Sequence, residues 1–299
     1  MCIRDSAYWE RWFPASWVSE MREQIRLWFY SQSFMAITLD GRSPYRRVLT
    51  YEKVLDETGR EMHKSWGNAI ELNDALSRMG ADVARWLFCE QSPSQPLRFG
   101  YGMADDVKRR LLTLWNSVSF FVMYANVDSF RPRYADLEGG ATEGGTLDRW
   151  LVSRTNAMLA TVEAEYERYW TPGVVRELET FVDDLSNWYI RRSRSRFWSS
   201  DEAALRTLWF ALVQAVRAIA PVMPFVAEHL WQNLVRDVDG APDSVFLAGW
   251  PAAGERDERL IGEVAEVRRI VELGRQARAP STTRRRSGCT QRRSPRSCA

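Results

Sequence analysis

The stretch Met62-His63-Lys64-Ser65-Trp66-Gly67-Asn68 puts one of the chain's three lysines on a loop, where arginine supplies nearly all of the 41 basic side chains. A lysine ammonium is a compact charge on a flexible stem, and it follows a moving phosphate more readily than a planar guanidinium does. Ser65 adds a hydroxyl, and Gly67 permits backbone angles closed to other residues. The set suits transient stabilisation of a phosphate leaving group. The plainer alternative is an ordinary solvated lysine. A second group, Asn187, Arg191 and Arg194, falls on one helix face at i, i+4 and i+7, with Arg192 and Arg196 close by. Arginines beside aromatic rings contact phosphates and stack on unpaired bases. Trp188, Asp183 and Asp184 in the same stretch are read instead as core and internal ion-pair residues.

The elements that must carry these groups differ between the two halves of the chain. From Ile25 to Asp56 the pattern is mixed: an apolar segment over Trp28 to Leu39, a Gly-Arg-Ser-Pro break, and a β-like run through Val48, Leu49, Tyr51, Val54 and Leu55. Asp-Glu-Thr-Gly (56–59) signals a turn closing a hairpin into the lysine loop. This is the pattern of the end of an α/β domain. From Met103 onward a helical period takes over, with Val107, Leu111, Leu114, Trp115, Val118, Phe121, Val122 and Ala125 on one stripe and Asp105 and Asp106 favouring its N-terminal end. Further helices are expected from Thr146 to Tyr169, from an N-cap at Thr171 with Pro172 first inside, through Leu205 to Ile219, and from Pro224. Short connections between long amphipathic helices predict an antiparallel bundle. The glycine-rich stretch 139–145 reads as a surface loop, and a last helix is expected from Arg256 to Gln276.

At 299 residues, 45% hydrophobic and 27% charged, the chain reads as soluble and globular with about two domains. No uncharged apolar run of membrane length occurs, and Met-Cys-Ile-Arg-Asp-Ser lacks the apolar stretch of a secretory signal, so a cytoplasmic location is expected. Cys2, Cys89, Cys289 and Cys298 have neither C-x-x-C spacing nor a neighbouring histidine, so no structural zinc or other metal site and no disulfide framework are predicted. The net charge is +2, but residues 280–299 hold six arginines and no acid, and the first 279 residues hold 35 basic and 39 acidic side chains. Overall charge therefore argues neither for nor against nucleic acid. The basic end is either a disordered tail that touches RNA or sequence that has left its natural reading frame, the second being favoured.

The lysine loop resembles the "KMSKS" signature of the class I aminoacyl-tRNA synthetases, with M-x-K-S-x-G-N intact, and Gly80 to Phe88 (GADVARWLF) is similar to the segment downstream of that signature in the isoleucine, valine and leucine subgroup. Two positions depart, Glu61 for lysine and His63 for serine; Glu61 is expected to point away from bound triphosphate, and His63 to be incidental. Glu20 to Phe29 (EMREQIRLWF) is similar to the subgroup's E-G-x-D-Q-x-R-G-W-F segment, with Met21, Glu23 and Leu27 departing. Its helix, read from the residues alone, buries Ile25, Trp28 and Phe29. Phe181 to Trp198 (FVDDLSNWYIRRSRSRFW), together with 220–234 and 244–251, is similar to the anticodon-binding helices of the family's isoleucine branch.

The resemblance implies an α+β, mostly α fragment: the C-terminal part of a class I nucleotide-binding, Rossmann-like catalytic domain over residues 1–102, an anticodon-binding bundle over 103–252, a helix over 253–279 and the basic tail over 280–299. It implies isoleucine, ATP with Mg2+, and the isoleucine tRNA as partners of a monomer. Met62, His63, Lys64 and Ser65 would meet ATP, with Lys64 catalytic; Glu20, Glu23, Gln24 and Trp28 would hold the aminoacyl-adenylate. Asn187, Arg191, Arg192, Arg194 and Arg196 would face tRNA. The "HIGH" signature is absent, and that half of the site, with the editing domain, is expected upstream of Met1. Two alternatives stay open: a tRNA-binding module without catalysis, and a valine or leucine specificity.

Overall fold

The structure is a computed structural model that describes residues 6–139 and 144–278. The expectations for the first five residues, for the centre of the glycine-rich loop and for the basic tail lie outside the described residues. Of the described residues, those up to Arg256 form one unit and those from Asp257 another.

The first unit opens with α1 (Ala7–Trp12), capped by the Ser6 hydroxyl at 3.3 Å from Trp9 N. Two parallel strand pairs come next, each with its own crossover. Strand β1 (Val18–Met21) pairs with β2 (Val48–Tyr51), Val18 opposite Val48, and the crossover between them holds a 3-10 turn (Arg22–Arg26) and α2 (Trp28–Asp40). Gly41, at φ 67°, ends α2 in the left-handed region that glycine adopts without strain. Strand β3 (Val54–Asp56) pairs with β4 (Leu97–Phe99), and its crossover carries the lysine loop, α3 (Leu72–Arg78) and α4 (Ala81–Glu90).

The β-like run expected through Val48 to Leu55 is thus two strands with different partners. The chain changes partner at Glu52 and Lys53, where Glu52 N donates to Pro93 O at 3.0 Å and Lys53 O accepts from Leu97 N at 2.9 Å. The turn at 56–59 closes a hairpin of one bridge, Leu55 opposite Glu61. Only Phe29 of the expected Ile25, Trp28 and Phe29 trio is buried: Ile25 is 66% exposed and Trp28 42% exposed. Apolar residues surround α2 without a helical period, so one side cannot bury them all.

The helical half begins with α5 (Tyr101–Val127), two residues before the expected start. Asp105 and Asp106 therefore miss the first turn and pair with Lys108 and Arg109; Glu57 supplies the acid there, accepting from Gly102 N at 3.1 Å. A short α6 (Asp136–Gly139) leads to α7 (Thr146–Glu167) and α8 (Thr171–Asp183). Thr171 lies inside α8 rather than capping it; Trp170 is the cap residue and offers no side-chain acceptor. The chain stays helical through a π segment (Asp184–Ile190) into α9 (Arg191–Trp198). Next come α10 (Glu202–Ile219), capped by Asp201 and ending just before Pro221, and α11 (Pro224–Leu234), which Pro224 opens as the sequence indicates.

Helix α10 packs on α7 and α11, and its Leu205, Leu208, Leu212, Val216 and Ile219 are all buried. Buried charges tie the helices together. Arg154 donates to Asp184 and Glu177, each at 2.7 Å, and Arg196 grips the fully buried Asp148 with two bonds of 2.7 and 2.8 Å. Asp184 is thus the internal ion-pair residue expected, whereas Asp183 is exposed and accepts from Asn187 Nδ2 at 2.6 Å. Cys89 is a free thiol whose pKa is pushed up by burial.

The second unit is α12 (Glu258–Arg278), started by Asp257, whose carboxylate accepts from Leu260 N at 2.9 Å. No helix among the described residues is long and apolar enough to cross a membrane.

Candidate functional site

The lysine loop is built on a staple of side chains. Asp56 turns the chain at the end of β3, its Oδ1 accepting from Thr58 N, Thr58 Oγ1 and Arg60 N at 3.0, 2.7 and 2.9 Å. Its Oδ2 accepts from Asn68 Nδ2 at 2.9 Å. The same amide donates to Glu61 O at 2.9 Å, and Asn68 Oδ1 accepts from His63 N at 3.0 Å. The hydrogen bonds that reach the Asp56 carboxylate from Arg60, Thr58 and Asn68, led by that from Arg60 N, hold it well below the usual carboxylate range. Within the staple, residues 64–66 form one 3-10 turn that Gly67 ends at φ 69°. Neither Asp56 nor Asn68 is assigned a site role by the sequence reasoning; the Asp-x-Thr turn pattern is the signal that points to the first.

Lys64 emerges from that turn 84% exposed, its Nζ 3.0 Å from Glu71 Oε1. Ser65 is exposed and Met62 half-buried. His63 lies edge-on to Trp66 at 4.3 Å, with Nε2 3.4 Å from Glu61 Oε2. Glu61 also reaches Lys53 Nζ at 3.1 Å, and Lys53 sits equally far from Glu23 Oε1. One ammonium thereby joins the lysine loop to the Glu20–Phe29 segment. In that segment Glu20 is half-buried, its Oε1 3.3 Å from Met21 N. Gln24 Oε1 accepts from Trp28 N at 3.3 Å, starting α2, and Trp28 meets Phe29 edge-on at 5.2 Å. Among the described residues no group of histidine, cysteine and acid side chains has the arrangement of a metal site.

Downstream of the loop, α4 is fixed to the helical half. Asp82 caps α11, accepting from Val226 N at 2.6 Å and Phe225 N at 3.3 Å. Burial nonetheless pushes its carboxyl up, against the pull of those two N–H groups. Arg85 donates to Val222 O and Pro221 O, each at 2.8 Å.

A second candidate surface lies where the π segment and α9 meet α5. A cavity of about 460 Å³ opens there, lined by Asn116, Phe120, Asn187, Ile190, Arg191 and Arg194. Asn187, Arg191 and Arg194 therefore share one face, as their spacing predicts, and both arginines are exposed. Arg192 stacks at 3.3 Å over the Trp188 ring. Arg196, also read from the sequence as a tRNA-facing residue, differs from its neighbours in its partners. Its Nη1 and Nη2 are spent on Asp148 and its Nε on Asp201 at 2.8 Å, contacts that raise its pKa further. A guanidinium with all three nitrogens engaged inside the protein holds the bundle rather than presenting its fork to a phosphate.

Known proteins match both regions. A family profile described as tRNA synthetases class I (I, L, M and V) matches residues 3–99, and one described as anticodon-binding domain of tRNA ligase matches 148–289. The isoleucine–tRNA ligase of Streptomyces avermitilis is 40% identical over 288 residues, covering 95% of this chain. That of Thermus thermophilus is 40% identical over 92% of the chain. The chain spans 27% of the length of each. Among solved structures, the LeuRS–tRNA–LeuAMS ternary complex of Agrobacterium radiobacter K84 aligns with a TM-score of 0.63 at 19% identity, over 83% of this chain and 29% of its own. Mycobacterium tuberculosis methionyl-tRNA synthetase with methionyl-adenylate aligns at 0.64 and 16% identity, over 82% and 52%. At such identities the structural likeness speaks for the fold alone.

Proposed function

Because the chain belongs to the class I tRNA synthetases and its curated relatives are isoleucine–tRNA ligases, we propose that it is the portion of such a ligase that carries the lysine loop and the anticodon-binding helices. Residues 1–102 supply the later part of the nucleotide-binding domain, 103–252 the antiparallel helical bundle that reads tRNA, and 253–279 a following helix. In the whole enzyme, isoleucine and ATP give isoleucyl-adenylate and pyrophosphate, and the acyl group then passes to the tRNA's terminal adenosine. Magnesium would enter on the ATP.

The observation that carries this reading is the meeting of two distant segments at Lys53, whose Nζ lies 3.1 Å from both Glu23 and Glu61. Around that point Glu20, Glu23 and Gln24 offer acceptors, which an amino acid's ammonium and a ribose's hydroxyls require. Lys64 offers a mobile cation for the charge that moves onto departing pyrophosphate. Trp28, in the same segment as those acceptors, is 42% exposed.

The cavity over Asn187, Arg191 and Arg194 supports the tRNA-binding role. Two exposed guanidinium groups beside Phe120 suit phosphates and unstacked bases of a single-stranded loop. Filter-binding titration of the chain against the isoleucine tRNA at two salt concentrations tests it. Binding is expected to weaken as salt rises, and Arg191→Gln and Arg194→Gln each to reduce the slope of log Kd on log salt by about one. Binding absent at low salt, or slopes unchanged in both variants, overturns the assignment.

One observation favours a narrower role for the chain in isolation. Helix α2 presents Tyr30, Phe34, Ile37 and Leu39 to solvent, whereas the helical half has a closed core. Alone, the chain would act as a tRNA-binding module, with catalysis requiring the rest of the nucleotide-binding domain. Pyrophosphate exchange by the isolated chain would exclude that narrower role.

A further inference from the structure

Lys53 is one of three lysines, and no motif includes it. It stands at the point where the backbone leaves one strand pair for the other, between β2 and β3. Its ammonium is 3.1 Å from Glu23 Oε1 and 3.1 Å from Glu61 Oε1, and the neighbouring acid, Glu52, is taken by Arg22 at 2.9 Å. We propose that Lys53 is a positioning residue of the nucleotide site, which neutralises Glu23 and Glu61 together and so keeps two carboxylates beside the lysine loop from repelling an incoming triphosphate.

The proposal rests on the reading of Lys64 as the phosphate-facing group. The local charge count motivates it. Besides Asp56, whose carboxylate is satisfied by the loop's own hydrogen bonds, Glu23, Glu61 and Glu71 bring three carboxylates to the loop and its surroundings, and Lys64 is matched with Glu71. If Lys53 is removed, Glu23 and Glu61 are left facing the approach of a polyanion, and like charges at a binding site are strongly unfavourable. The exchange of influence is mutual: hydrogen bonding to Glu23 and Glu61 raises the Lys53 pKa, and Lys53 lowers that of Glu61. Tethering Glu23 from outside α2 also fixes its reach, since it sits on a 3-10 turn whose own cap residue supplies no side-chain bond.

Kinetics of the full-length synthetase carrying this segment test the proposal. Lys53→Met keeps the aliphatic stem and deletes the charge. The pair is half-exposed, so the variant is expected to fold, which its melting curve checks. Lys53→Met should raise KM for ATP in pyrophosphate exchange about tenfold while changing kcat less and leaving KM for tRNA in place. Lys53→Arg should stay within about threefold of wild type, because the charge remains. Adding Glu61→Gln to Lys53→Met should recover most of the loss, since one of the two exposed negative charges goes with it. A KM for ATP within about twofold of wild type in Lys53→Met, alongside a strong loss in Lys64→Ala, overturns the role of Lys53 and leaves that of Lys64 standing. A raised KM that Glu61→Gln does not relieve overturns the charge argument. No loss in either lysine variant overturns the reading of the loop on which the proposal rests.

Discussion

Replacing Lys64 by alanine in the full-length synthetase is expected to lower the rate of ATP–pyrophosphate exchange by about 10²- to 10³-fold, the range typical of one charge-stabilising group removed from a transition state. The geometry makes the result interpretable. Lys64 is 84% exposed and its partner Glu71 is 61% exposed, so the pair contributes little to folding. The loop itself is held by Asp56 and Asn68, neither of which the substitution touches. A loss of rate therefore reports lost chemistry rather than lost structure, and the melting curve should stay in place. Lys64→Arg should recover only part of the rate, because a planar fork follows a moving phosphate less well. The affinity for tRNA, which the proposed function assigns to the helical half, should be unchanged. Exchange at the wild-type rate in Lys64→Ala would remove the catalytic assignment.

The second large effect is on stability. Asp148 is fully buried and accepts four hydrogen bonds: two from Arg196, one from Tyr189 Oη at 2.6 Å and one from Gly145 N at 2.7 Å. Asp148→Ala strips both Nη partners from Arg196, which keeps Asp201 and is 27% exposed, and losing hydrogen bonds of this charge-assisted kind should cost about 1.5–3 kcal/mol. Tyr189 keeps a weaker partner in Ala204 O at 3.3 Å, so the damage centres on the guanidinium. Urea unfolding of the chain measures the cost. Replacing Arg191 should change stability by less than about 0.5 kcal/mol, because its side chain is exposed. The two arginines share one short helix and answer oppositely: one holds the bundle, the other faces its cavity. Equal stability of Asp148→Ala and the wild type would mean that the buried pair does not form.

That contrast shows where the sequence is legible and where it is not. Period and proline placement are local signals, so the stripe of α10, its end before Pro221 and the start of α11 at Pro224 can be read directly. The spacing of Asn187, Arg191 and Arg194 holds across the π segment, where they share one cavity. Arg196 looks like its neighbours in sequence, but its partner Asp148 lies 48 positions away, and no local pattern announces that pairing. Lys53 is similar: Glu23 and the lysine loop are each legible in their own segments, and only the fold brings their carboxylates to one nitrogen. Trp28 stays exposed because α2 has apolar side chains on every side and too little protein packed against it to cover them, and Ile25 lies outside α2, exposed on the preceding 3-10 turn.

The most direct test of the central claim, that this chain carries the anticodon-reading part of an isoleucine–tRNA ligase, is a titration of the chain with the isoleucine tRNA and with the same tRNA bearing a foreign anticodon. The foreign anticodon should weaken binding by at least about tenfold at one salt concentration, as lost base contacts do. Equal affinity for the two tRNAs would contradict it.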